Sequence, residues 1–480
     1  MSDSMPLPTV DRTVPAAARP ASIAVSRRTM IGGGAGLAGL GALLGVGFLL
    51  KEEGAGQVTD ERQRAAHLLR RMGFAPARGE VDAVVRNGIQ VSTDALLHPE
   101  KTSDAALEAR LAADHFDLAG TEQLRRWWLV RMAATTRPLT EKMTLFWHGL
   151  LTSSYRKTGK NYDLMYVQNQ FLRQHSLGNL RDLVIGISKD GAMLKWLDGT
   201  SSSKAHPNEN YARELMELFT MGVGNYTETD VRELARALTG WYIDATGTVS
   251  FRPRAHDTGT KTILGHTGTF GLEEAVDIIL ANPATPKHLA TKMWEFFVYP
   301  LPSAADLQPV IDAYKRSHYE IRAMMAAILA SPQFYSNRAY RALVKSPTEL
   351  VAGVSRQFGL SLDPNAFLAM GTMGQSLFDP PNVAGWPGGA DWLSSGGWMA
   401  RMRWLLAVSV EHQTTVNVAS GAASPPEAVD HAVTTMLDGF ISSGARQAII
   451  DHLESIGAKG TQAASDLFFL LAATPEYQLS

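Results

Sequence analysis

The segment Asn208-Glu209-Asn210-Tyr211-Ala212-Arg213-Glu214-Leu215-Met216-Glu217-Leu218-Phe219-Thr220-Met221-Gly222 decides how this chain reads. On a helical wheel, Glu209, Asn210, Arg213, Glu214 and Glu217 fall on one side. Tyr211, Ala212, Leu215, Leu218, Phe219 and Gly222 fall on the other. That is an amphipathic helix, opened at Asn208 to Asn210 and stopped by Gly222. The same punctuation recurs outward from it. Thr227-Glu228-Thr229-Asp230 spells a capping box for a helix ending at Gly240. Thr285-Pro286, Ser346-Pro347-Thr348-Glu349 and Asp363-Pro364 each place a cap residue before Pro at a first helical position. Nearer the N-terminus, Ala65, Leu68, Leu69 and Met72 line one face until Gly73. More than a dozen such helices are expected, and the fold class is mainly α, a large multi-helical domain.

One stretch departs from helical spacing. Thr248-Val249-Ser250-Phe251 and Thr262-Ile263-Leu264 flank a turn-rich centre from Pro253 to Gly259, so a small β-hairpin insert is expected near 241–268. With it the chain divides into a leader (1–56), a first helical half (57–240), the insert (241–269) and a second helical half (270–480). A second irregular segment, Phe378 to Gly389, holds too much Pro and Gly for a helix, and ordered loops of that kind often carry function.

Composition narrows the chemistry. The chain has 480 residues, 45% of them hydrophobic, with 45 Lys plus Arg against 47 Asp plus Glu and no cysteine. Without thiols there are no disulfides, thiolate nucleophiles, zinc–cysteine sites or cysteine-bound clusters, so any metal must sit on His, Asp or Glu. A net charge of −2 argues against a nucleic-acid partner, because phosphate binding rests on an excess of Lys and Arg.

Ser26-Arg27-Arg28-Thr29-Met30-Ile31 precedes a weakly apolar run to Leu50 that carries eight glycines, with Lys51 directly behind it. This reads as a twin-arginine export signal in which Arg27 and Arg28 form the address. The expected location is periplasmic or extracellular. Contact with a membrane is expected only through the leader, which would tether the protein if it is not cleaved near Gly54-Ala55-Gly56. Gly34-Ala35-Gly36-Leu37-Ala38-Gly39 matches a dinucleotide-binding fingerprint, but an Arg pair precedes it and no βαβ unit follows, so that reading fails.

Five residues are candidates for chemistry. Glu214 and Glu217, three apart on the decisive helix, could be metal ligands or an acid–base pair, or members of a solvated charge ladder with Glu209 and Arg213. His148, after Trp147 at a helix end, could be a base or ligand, or a core residue at the helix terminus. His256 and Asp257 lie in a turn of the insert, where an Asx-turn competes with a catalytic role. Asp257-Thr258-Gly259 matches the triplet of aspartic proteases, but a second facing copy is missing. Trp386, Trp392 and Trp398 either form an aromatic platform or pin the Pro-rich loop to the core.

Asn208 to Leu218, Gly222-Val223-Gly224-Asn225-Tyr226-Thr227-Glu228 and Ala235-Arg236-Ala237-Leu238-Thr239-Gly240-Trp241 together resemble a bacterial family, the domain of unknown function 1800 family. Phe146-Trp147-His148, His256-Asp257-x-Gly259-x-Lys261, Lys345-Ser346-Pro347, Met373-Gly374-Gln375 and Pro380 to Pro387 extend the resemblance over nearly all of the chain after the leader. It implies a helical, exported protein with a second exported protein, alkaline-phosphatase-like, as companion. It identifies no particular reaction, and the cofactor stays unknown. Many relatives have His where this chain has Leu150 and Phe219, so a metal site built on those two His would be absent here or rebuilt. Two readings of function stand at this point. One is a metal- or cofactor-dependent enzyme of the cell envelope, with Glu214, Glu217, His148, His256 and Asp257 at its centre. The other is a non-enzymatic envelope assembly or binding protein acting with the exported companion.

Overall fold

The computed structural model describes residues 56–158, 163–361, 363, 366–412, 415, 416, 418, 421–457 and 460–480. The leader with Arg27 and Arg28 lies outside them. The described residues form a multi-helical protein whose β structure consists of two short antiparallel pairs. None of their helices is long and apolar enough to cross a membrane.

Two buried apolar clusters organise the packing, and neither follows the order of the chain. The first gathers side chains from Ala65 to Ala339, including Leu183, Phe219, Trp294 and Ile328. The second joins Phe74 and the helix Thr121–Ala134 to the helices Pro347–Phe358, Ser395–Glu411 and Pro425–Leu437. The helix Pro138–Leu150 serves both, giving Met143, Phe146 and Trp147 to the first cluster and Leu145 to the second. A helix buried nearly all round can do this because its apolar positions exceed a single stripe.

Local start signals are realised where they stand alone. Thr227 and Asp230 form the reciprocal capping box of the helix Glu228–Ala237, and Ser346 and Glu349 do the same for Pro347–Phe358. Gly240, three residues beyond the first helix, has φ +98°, and a side chain there would press on Phe251 and His256. At Thr285-Pro286 the helix starts earlier, at Ala284. Asn282 Oδ1 accepts the Ala284 N–H at 2.9 Å, and Thr285 instead turns its hydroxyl to Ile279 O at 2.6 Å.

The insert is two hairpins rather than one. Strand β1 (Trp241–Ile243) pairs with β2 (Val249–Phe251), and β3 (Lys261–Ile263) pairs with β4 (His266–Gly268). The expected partners, 248–251 and 262–264, therefore each pair locally. In the first hairpin Asp244 Oδ1 accepts the N–H groups of Thr246 and Thr248 at 2.8 and 3.0 Å. In the second, Leu264 and Gly265, both at positive φ, make the two-residue turn whose twist suits a hairpin.

Candidate functional site

The decisive segment is helical, but not α-helical throughout. Glu209–Glu214 is α, and Leu215–Thr220 is a π-helix. Widening the turn brings Met216 and Thr220 into the core, with the Thr220 hydroxyl on Leu215 O and the Met221 N–H on Met216 O at 2.9 Å. It also leaves a carbonyl for an outside partner. His288, on the helix Ala284–Phe297, has Nε2 2.9 Å from Leu218 O, and since a carbonyl only accepts, Nε2 carries the proton. Burial lowers the His288 pKa. π-Helical turns often mark functional sites.

Glu214 stands just before the π-helix and Glu217 lies within it. Burial first, and then the Glu217 charge, raise the Glu214 pKa above the usual range. Glu217 accepts the Tyr226 hydroxyl, whose own pKa is pushed up to about 12 by burial and by that carboxylate. Arg213 does not complete a ladder through Glu217. It forks onto Glu228 at 2.7 and 2.8 Å and reaches Glu209 at 3.4 Å.

His148 sits in a different environment, with 1% of its surface exposed. Its Nε2 accepts the Phe378 N–H at 3.1 Å, and the rings of Trp128, Phe378 and Trp386 stand 5.1 to 5.4 Å away. Burial pushes its pKa down to about 3, so the imidazole is neutral and serves as an acceptor. It anchors the Pro-rich loop. Gly385 in that loop has φ +87°, and a Cβ there would lie 2.5 Å from Gly149 O, so only glycine fits beside the helix end. Trp386 lies against His148 and Trp392 is buried beside Gly374, which leaves these two rings as pins rather than a free platform.

His256 and Asp257 belong to a third environment. His256 Nδ1 lies 2.9 Å from Thr239 O and therefore donates to it. Asp257 takes Arg236 through Nε at 2.7 Å and Nη2 at 3.2 Å, and also accepts the Gly259 N–H at 2.8 Å. The Arg236 bond, followed by the smaller effects around it, holds the Asp257 carboxyl below its usual range. Lys261 Nζ, buried, donates to Asp257 O and Gly259 O at 2.6 and 2.9 Å. The motif His256-Asp257-x-Gly259-x-Lys261 is thus a turn closed by its own side chains.

Of the five candidates, the structure brings Glu214 to Glu217, and keeps His256 next to Asp257 with separate partners. The three environments bond to different elements. Among the described residues no three His, Asp or Glu side chains are grouped to hold a metal ion. Phe219 is buried in the first apolar cluster, and Leu150 packs against that cluster.

A polar feature that no motif announced lies at the boundary of the two apolar clusters. Arg70, Arg71, Lys142, Arg341, Lys345 and Arg401 are all buried there, against the carboxylates of Glu349 and Asp438. Lys142 pairs with Glu349 and also donates to Gly73 O at 2.9 Å. Arg70 and Arg341 share Asp438 Oδ2. Arg401 donates to Lys345 O at 2.6 Å and Gln478 Oε1 at 3.0 Å. Aromatic rings stand in for the missing carboxylates. Arg70 and Arg341 lie over Tyr340, Lys142 over Phe74 and Phe296, and Lys345 4.0 Å from the centre of Tyr477. Burial lowers the pKa of Arg71 to about 9 and that of Lys345 well below the usual range.

A family model described as "Protein of unknown function (DUF1800)" matches residues 67–479. No curated protein and no solved structure matches the chain.

Proposed function

We propose, because the chain belongs to the DUF1800 family and inherits no reaction from it, that it is an exported envelope protein that works by binding an exported companion. One observation carries this reading. His148, Glu217, His256 and Asp257 each hold a protein partner that shapes a loop, a turn or the π-helical shoulder. Side chains held in this way stabilise the fold, and among the described residues they do not converge on one centre. The twin-arginine pattern at Arg27 and Arg28 supports the export part of the proposal. The test is purification from the native exporter, with Glu214→Gln plus Glu217→Gln beside the wild type. An exported companion present at the same stoichiometry in both preparations supports the reading. A companion-free wild-type protein overturns it.

A second reading keeps one specific observation. The Glu214 carboxylate forms no hydrogen bond among the described residues, and its raised pKa would let it act as an acid beside Glu217 and Tyr226. It predicts an activity that is lost in Glu214→Gln while folding and export persist.

A further inference from the structure

The turn after strand β2 carries cations that the rest of the molecule leaves unanswered. Strand β2 ends at Phe251, Arg252 follows, and Pro253–Ala255 forms a single tight helical turn. The Lys204 N–H donates to Ala255 O at 2.7 Å and the Arg252 N–H to Gly240 O at 2.8 Å, so the backbone fixes Lys204 beside that turn. Lys204, Arg252 and Arg254 are all exposed. Among the described residues none of the three forms a salt bridge or a side-chain hydrogen bond.

The chain supplies no carboxylate between Asp198 and Glu209 or between Asp244 and Asp257. Each of those four has a partner of its own. Asp198 takes Lys157 at 3.2 Å, Glu209 takes Arg213 at 3.4 Å, Asp244 accepts from Thr246 and Thr248, and Asp257 takes Arg236. In a chain whose net charge is −2, this corner is therefore locally positive.

Two features separate it from an ordinary solvated charge run. Arg252 Cζ lies 3.3 Å from the centre of the Tyr242 ring, which holds the guanidinium in place and lowers the entropy lost when its N–H groups meet an acceptor. Phe251, the residue before it, is 43% exposed despite its ring contacts with Trp241 and His256. Arginine and aromatic side chains are what protein interfaces concentrate, and they dominate the binding energy. Carboxylates match the planar fork of Arg, and a protein surface adds an apolar contact for Phe251. Three cations alone hold a protein only weakly at an anionic bilayer. We propose that Lys204, Phe251, Arg252 and Arg254 form the docking surface for an acidic patch on a protein partner. This rests on the companion-binding reading above, to which it adds the surface used and the charge of the partner.

The test is co-purification of the full chain from the native exporter, wild type beside Arg252→Glu plus Arg254→Glu and beside Lys204→Glu. Arg86→Glu plus Lys315→Glu, two exposed changes on other helices, is the control for net charge. All of these side chains are exposed, so the melting curves should match. The companion should be retained by wild type and control, and reduced by about tenfold or more in Arg252→Glu plus Arg254→Glu, with a smaller loss in Lys204→Glu. Poly-L-glutamate should release it from the wild type, uncharged polyethylene glycol should not, and raising sodium chloride from about 50 to about 500 mM should weaken retention. An undiminished companion in Arg252→Glu plus Arg254→Glu overturns this surface and leaves the companion reading standing. An equal loss in the control overturns it as well. So does flotation of the wild type with phosphatidylglycerol vesicles that the Arg252→Glu plus Arg254→Glu protein loses while keeping its companion. A companion-free wild type overturns both the surface and the reading.

Discussion

Lys142 donates to Glu349 across the boundary between the two apolar clusters, joining residues 207 positions apart. Glu349 also accepts the Ser346 N–H at 2.7 Å, so one carboxylate caps a helix and neutralises a buried ammonium. Burial alone would raise the Glu349 pKa, but Lys142 and the Ser346 cap together offset it and the net shift is downward.

Lys142→Met, which keeps the stem and removes the charge, is expected to destabilise the protein by roughly 3 kcal/mol, because it strands a buried carboxylate. Adding Glu349→Gln, which still accepts at the cap, should recover part of that loss. Because the folded Glu349 pKa is depressed, its contribution is present above the usual carboxylate range and is lost as pH falls through the folded value. Denaturant melts at pH 7 and pH 4 measure both effects. Equal stability of wild type and Lys142→Met at pH 7 would refute the pairing.

His148 gives the opposite class of group the same sign. Its pKa falls from 6.5 to about 3 on folding, so its stability is fully present above pH 6.5 and drains as pH drops toward 3. His148→Gln should cost roughly 2–3 kcal/mol at pH 7 through lost packing among Trp128, Phe378 and Trp386, and should make the acid limb of the stability curve shallower. An unchanged acid limb would mean that the imidazole is not held neutral.

Asp190 predicts a stabilising substitution. Its carboxylate caps the helix Gly191–Trp196 by accepting the Met193 N–H at 2.9 Å, and takes Gln168 Nε2 at 2.6 Å, with no salt bridge to a cation among the described residues. Burial pushes its pKa up to about 6, so its contribution is complete below the ordinary Asp value of 3.8 and is lost as pH rises through 6. Asp190→Asn retains both the cap and the Gln168 contact, because the Met193 N–H and Gln168 Nε2 both donate to Oδ1. A gain of about 1 kcal/mol at pH 7 is expected, less than the full shift implies because the residue is only half-buried. The gain should vanish near pH 4. Destabilisation at pH 7 would contradict the assignment.

The export reading has its own measurement. Arg27→Lys plus Arg28→Lys should leave the folded protein in the cytoplasm of the native host, with the exported fraction reduced at least tenfold by immunoblot of cell fractions. Unimpaired export of the double variant would remove the twin-arginine address.

Much of the fold was legible because its signals are local. Thr227 reaches only to Asp230, and Ser346 only to Glu349, so the sequence contains both halves of each cap. The pairing inside the insert was less legible. Phe251 and Ile263 both read as strand, but which neighbour each would choose depended on the turns at Asp244–Thr248 and Leu264-Gly265. The π-helix could not be read at all, since an α-wheel and a π-turn share the same apolar residues until the turn widens. The buried cations were hidden for another reason. Arg70 meets Asp438 across 368 positions, and isolated Arg residues at helical spacing read as surface. Among the site candidates, Glu214 and Glu217 are three apart on one helical segment, so their proximity is local, whereas nothing in the sequence placed His148 under Phe378, 230 positions away.

The central claim is that the His, Asp and Glu candidates serve the fold and its recognition surfaces. Mass-spectrometric metal content per chain, measured on protein from the native exporter for wild type and for Glu214→Gln plus Glu217→Gln, tests it most directly. The account predicts no stoichiometric metal that depends on the two carboxylates, and matching melting curves for the two proteins. About one equivalent of a metal in the wild type, lost in a folded double variant, would contradict it.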